Sequence, residues 1–171
     1  CQGTTMKNVF ILLAIVMLSG CVGGARNAPP VVIYDFGMPA ARLLADGRWS
    51  GVALEVRSPA WFDALNVDYR LAYADPLTPR EYAGSRWAGA PGILLAQLLR
   101  QQLGTVSPGG SAACLLRVDL QEFSQIFDSP QQSRGVVQAS VRLIDGKRQL
   151  VAERQLMIDK PAASPDAQGG V

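Results

Sequence analysis

Apolar and polar positions along this chain fall into three successive patterns, and each predicts a different kind of element. The first is an unbroken run of ten apolar residues, Val9 to Leu18. The second is alternation with a period of two, the mark of strands with one face on a core. Val31 to Phe36 is rich in β-formers and ends at Gly37, which predicts a first strand. From Trp49 to Arg57, Val52, Leu54 and Val56 share one face while Ala53, Glu55 and Arg57 share the other. Val67, Tyr69, Leu71 and Tyr73 alternate with polar or small residues in a third strand, which Pro76 and Pro79 are expected to end. Glu81 to Ala83 predicts a short fourth strand.

The third pattern is helical. Pro91, Leu94, Leu95, Leu98, Leu99 and Leu103 form a stripe at a spacing of three and four, opposite Gln97, Arg100, Gln101 and Gly104. Pro91 suits a first turn, where its missing N–H would have no intrahelical partner, and Gly104 suits the stop. Core packing is the simplest role for the stripe. Period two then returns over Leu116 to Gln121, Val137 to Leu143 and Leu150 to Ile158, predicting three consecutive antiparallel strands. Asp145-Gly146 supplies a tight turn between the last two, and Ser124 to Ser133 reads as a longer loop tipped by Phe127.

The expected fold is α+β, a mostly antiparallel sheet packed by one amphipathic helix. From Pro161 onward the residues are small or polar, and 161–171 reads as a polar tail or linker. A single helix cannot cover both faces of the sheet, so a C-terminal helix is expected to be missing from this chain. The single α+β domain is placed at 31–160.

The apolar run reads best as export machinery. Lys7 precedes it, and Leu18-Ser19-Gly20-Cys21 closes it with small residues before a cysteine. Ten helical residues rise about 15 Å, half of a hydrocarbon core of about 30 Å, too short for a stable span. Leu-Ser-Gly-Cys resembles the lipobox of bacterial lipoproteins. That resemblance implies cleavage before Cys21, and an S-diacylglycerol and an N-acyl group on Cys21 as the only attached group. Residues 6–20 are then the signal peptide and 21–30 a flexible tether. Val22 stands where an Asp would resemble an inner-membrane retention signal, so the expected location is the outer membrane, facing the periplasm. Residues 1–5 precede Met6 and are read as upstream residues.

Removing twenty residues from 171 leaves 151, the size of one domain. The net charge of +2 becomes about +1 once Lys7 is removed, and no basic stripe exists to neutralise phosphates, so nucleic acid is not an expected partner. The chain has no histidine, which removes Ser-His-Asp and Cys-His arrangements together with the commonest metal ligand. GxSxG, GxxxxGK[ST] and GxGxxG motifs are also absent. The expectation is a protein that is not an enzyme, with no catalytic residue, metal or cofactor. Of Cys1, Cys21 and Cys114, none lies at metal-ligand or redox spacing, and Cys114 reads as a small core hydrophobe, or alternatively as an intermolecular disulfide.

One cluster carries candidate chemistry: Trp61, Tyr69, Arg70, Tyr73, Arg86 and Trp87. Aromatics interleaved with arginine are enriched at interfaces. The alternative is that Trp61, Tyr69 and Trp87 pack the fold while Arg70 and Arg86 pair with acids such as Asp63 or Asp68. Val56 to Asp63, then Asn66-Val67-Asp68-Tyr69-Arg70, then Arg86-Trp87-Ala88 resemble the ABC-type transport auxiliary lipoproteins, the paraquat-inducible protein C-like family. That family carries a glutamate where this chain has Gly89-Ala90 before Pro91, and a final amphipathic helix after a Gly-Gly-Val-like turn.

The resemblance implies a non-enzymatic lipoprotein of an MCE-type lipid transport system. It would dock an MCE-domain protein of an ABC transporter to the outer membrane, alone or as a homo-oligomer. A periplasmic carrier holding lipid or a small ligand between Leu94, Leu98, Val118 and Val141 is the alternative, and an envelope assembly lipoprotein is a third.

Overall fold

The computed structural model describes residues 30–38, 41–43, 47–62 and 64–171. The unit from Val31 to Val171 is built on one seven-stranded sheet. Its strands are β1 (Val32–Tyr34), β2 (Val52–Arg57), β3 (Asn66–Leu71), β4 (Asp75–Trp87), β5 (Cys114–Ser129), β6 (Gln132–Asp145) and β7 (Leu150–Pro161). A 3-10 turn, Ala60–Phe62, joins β2 to β3. Helix α1 (Pro91–Leu103) lies between β4 and β5, and a four-residue helix α2 (Ala167–Gly170) follows β7.

The three strands β5, β6 and β7 form the expected antiparallel meander. The sheet as a whole is mixed, which corrects the expectation of a mostly antiparallel one. β1 runs parallel to β4, and both β2 and β3 run parallel to β5. The sixteen residues of β5 make this possible: β2 lines its first part, Cys114 to Asp119, and β3 its last, Gln125 to Phe127.

Two further expectations fail for local reasons. β5 runs on to Ser129 and β6 starts at Gln132, so Ser124 to Ser133 is a hairpin rather than a long loop. The pairing slips between Leu120 and Glu122, and this bulge at Gln121 shifts the apolar phase by one residue. Phe123 and Phe127 therefore continue the buried row, and Phe127 is only 7% exposed. β4 likewise runs through Pro76 and Pro79. β1 reaches only Ser85 to Trp87, so the proline end of β4 is an edge where a missing N–H costs no ladder bond.

The apolar residues converge on one face. Leu54, Val118 and Ala139 form one buried cluster, with Val56, Leu99, Leu116 and Val141 around it. Val67, Trp87 and Ala167 form a second, with Tyr34, Phe36, Tyr82, Leu94 and Phe123 around it. Helix α1 spans both through Leu99 and Leu94. Its most buried residues are Pro91, Gly92 and Ala96 rather than the leucines, because the helix backbone approaches β2 closely. A Cβ on Gly92 would sit 2.7 Å from Ser58 Oγ. Gly92→Val should therefore push α1 from β2 and cost about 1 to 3 kcal/mol, read as a lower urea midpoint. The helix starts with Pro91 at its first turn and stops at Gly104, which is left-handed (φ 68°) and donates its N–H to the Arg100 carbonyl at 2.9 Å.

The opposite face carries a row of charges. Arg57, Glu55, Arg117, Asp119, Arg142 and Glu153 run across it in alternating sign. Glu55 pairs with Arg57 at 3.0 Å and Arg117 at 2.8 Å, and Arg142 bridges Asp119 and Glu153. Each such pair contributes only about 0.2 to 1 kcal/mol, so the fold is held chiefly from the apolar side. The closing residues carry a short helix. Asp166 caps α2 by accepting from Gly169 N at 2.9 Å, and Ala167 is 7% exposed against Val67 and Trp87. The last hairpin turns tightly after Asp145, as expected, through residues 146–148. Asp145 Oδ1 accepts from Lys147 N at 2.9 Å and Gln149 N at 2.8 Å, and the left-handed residue is Arg148 (φ 64°), not Gly146.

Candidate functional site: a charged groove beside Trp61

On the charged side of the sheet, β3, β4, β5 and the 3-10 turn enclose a groove of about 500 Å³. Strand periodicity directs alternate side chains of β3 and β5 into it: Asp68 and Arg70 from β3, Glu122 and Ser124 from β5. Glu81 enters from β4, where its Cα pairs with that of Asp68. Arg80, Leu77 and Pro79 form the outer wall, and Trp61, 71% exposed, forms the rim.

Arg70 is the organising cation. Its Nε donates to Glu122 Oε2 at 3.2 Å, and its Nη1 reaches the carbonyls of Pro76 and Leu77 at 3.5 and 3.4 Å. It thus ties β3 both to β5 and to the first residues of β4. Asp68 is its less favoured neighbour. Burial, then the carboxylates of Glu81 and Glu122, push the Asp68 carboxyl up to about 6, while Arg70 pulls the other way. Ser124 Oγ is buried on the same wall without a hydrogen-bond partner among the described residues. The groove therefore offers one flat aromatic face, two guanidinium groups and three carboxylates, a mixture that matches a polar or charged surface segment better than an acyl chain.

The Asp68 shift has a testable sign. A carboxyl raised above its ordinary 3.8 favours the fold only while protonated, so its contribution is complete below about 4 and lost as pH rises through about 6. Asp68→Asn should match the parent's urea midpoint near pH 4 and exceed it at pH 8. Equal midpoints at both values would contradict the shift.

Of the six aromatic and arginine residues singled out from sequence, three meet at the groove: Trp61, Tyr69 and Arg70. Tyr69 also stacks on Tyr82 at 4.6 Å and packs edge-on against Phe127 at 5.8 Å. Tyr73 is half-exposed in the turn between β3 and β4, away from the groove lining. Arg86 donates to Asn66 Oδ1 at 2.5 Å rather than to an acid. Trp87 is 5% exposed and packs against Phe36 at 5.3 Å and Phe123 at 5.4 Å, as a core residue. Cys21 and Asp63 lie outside the described residues. Sequence reasoning missed Asp68, Glu81 and Glu122 as groove residues; only the Asp68 to Glu81 spacing across a hairpin could have hinted at the first two.

No family model and no curated protein matches this chain. Among solved structures, protein XCC0632 from Xanthomonas campestris, described under the family model DUF330, superposes with a TM-score of 0.64 at 16% identity, over 81% of this chain and 82% of that one. The chain shares the fold of XCC0632. A second structure, described as an uncharacterized protein, superposes with a TM-score of 0.59 at 16% identity, over 78% and 82% of the two chains. Lipoprotein GNA1162 from Neisseria meningitidis reaches a TM-score of only 0.31 at 15% identity, over 64% and 81%, too distant to carry an argument. The likeness to XCC0632 fixes the fold and leaves function to the residues.

Proposed function

We propose that this chain is a lipid-anchored periplasmic docking protein, a non-enzymatic auxiliary component of an ABC/MCE-type lipid transport system at the outer membrane. The lipid would sit on Cys21, and the partner would be the MCE-domain protein. The observation that carries docking over carriage is where the space lies. Leu54, Val118, Leu120 and Ala139 are at most 6% exposed, so the centre of the domain is filled. The opening beside Leu94 and Leu98 holds about 130 Å³ and is bordered by Asp35, Gln97 and Gln101. That is below the roughly 300 Å³ at which ligand pockets begin, which counts against a lipid chamber. The surface groove, at about 500 Å³, is several times larger than that opening, and Trp61 stands out of it.

Affinity purification from membranes tests this reading. The parent chain should recover an MCE-domain protein, and Trp61→Ala should reduce that recovery several-fold. Its unfolding free energy should stay within about 0.5 kcal/mol of the parent's, because the indole is exposed. Recovery of an outer-membrane barrel in place of an MCE protein would support the assembly alternative and overturn docking to a transporter. Arg70 is a poor probe, because reversing its charge would leave Glu122 and Asp68 facing a third carboxylate.

A further inference from the structure

Among the described residues, strand β7 closes one end of the sheet and is hydrogen-bonded on one side, to β6. All twelve of its residues are exposed. Leu150, Val151, Leu156, Met157 and Ile158 are each 47% exposed or more. The free stretch of β4 carries two prolines along its length, whereas β7 has a proline only at its last position, Pro161. A long edge whose backbone donors are unbroken by proline up to its last residue is a template for a further strand, with its charged residues, Glu153, Arg154, Asp159 and Lys160, restricting which strand can add.

We propose that the strand it accepts is β7 of a second copy, running antiparallel about a two-fold axis between the two Gln155 residues. This joins two seven-stranded sheets into one. The register follows from symmetry and charge. A two-fold axis through an antiparallel pair sets one residue opposite its own counterpart, and facing residues then project to the same side.

Four such registers pair nine or more positions of Leu150–Pro161. Centring on Arg154 opposes two guanidinium groups. Centring on Leu156 opposes Glu153 to Asp159, and centring on Met157 opposes Arg154 to Lys160. Each of these places like charges directly across a ladder, which is unfavourable.

Centring on Gln155 opposes no like charges. It sets Ile158 over Ala152, Leu156 against the aliphatic stem of Arg154, and Met157 beside Glu153. Glu153 is already engaged with Ser140 Oγ at 3.2 Å and with Arg142 at 3.9 Å in its own copy, so Met157 need not face an unpaired carboxylate. The uncharged centre from Gln155 to Ile158 lies between two oppositely signed pairs, Glu153-Arg154 and Asp159-Lys160, and of the four registers only this one sets every member of both pairs opposite an uncharged residue.

Cysteine cross-linking in whole cells tests the register. In the full chain with Cys1→Ser and Cys114→Ala, Gln155→Cys should oxidise to a disulfide-linked dimer. Ala152→Cys should not, because its counterpart lies about 20 Å along the strand, while Ala152→Cys combined with Ile158→Cys should cross-link again. Detergent-extracted parent chain should sediment at about twice the monomer mass, and Leu156→Lys with Ile158→Lys should halve it. A monomeric parent, or equal cross-linking at 152 and 155, overturns the pairing. The result does not depend on which transporter the domain docks.

Discussion

Leu54→Ala is expected to remove about 3 to 4 kcal/mol from the stability of this domain and to lower its thermal midpoint by about 10 °C. Leu54 is the most deeply buried residue of the described chain, at 0% exposure. It sits on β2 opposite Leu116 of β5 and packs with Val118 and Ala139 beneath Leu99 of α1. Truncating it would leave a cavity between a strand and a helix that are both anchored elsewhere, so neither can collapse to fill it. Domains of this size are stable by only about 5 to 15 kcal/mol, and the loss is a large share of that. Urea and thermal unfolding of parent and variant measure it. A cost below about 1 kcal/mol would mean that the layer between β2 and α1 relaxes freely.

Cys21→Ala should abolish radioactive palmitate incorporation altogether and shift the protein from the outer membrane to the soluble or inner-membrane fraction. The magnitude follows from methylene count. Each buried methylene contributes about 0.8 kcal/mol, so several acyl chains hold a domain where one chain binds only marginally. Among the described residues no helix is long and apolar enough to cross a membrane. The folded domain starts near Val32 and should keep its far-UV circular dichroism. Persistent palmitate label, or outer-membrane recovery of the variant, would remove the anchor from this account.

The strands that local pattern reveals are those whose neighbours are also local. β6 was legible because alternation runs unbroken through Val137 to Leu143, β7 from its apolar stretches Leu150-Val151 and Leu156 to Ile158, and α1 because its stripe and both ends agree. β5 was half legible: the bulge at Gln121 shifts the phase, and Phe127 then resembles a loop tip. Parallel pairing was invisible because the partners of β5 lie far back in the chain, Leu54 with Leu116 and Arg70 with Ile126. The groove was invisible for the same reason. Arg70 finds its carboxylate in Glu122, 52 residues away, whereas the sequence suggested neighbours. Trp61 and Trp87 looked alike in sequence and differ entirely in exposure, because one sits on a turn and the other closes a strand against the core.

The row from Arg57 to Glu153 has a consequence for how the domain meets a bilayer. Its three guanidinium groups and three carboxylates cancel in sequence, so the potential above that face dies away within a few ångströms instead of reaching outward. An anionic leaflet would neither pull this broad side down nor push it off. A domain with such a side would take its orientation from whatever protein holds it and not from the charge of the lipid beneath.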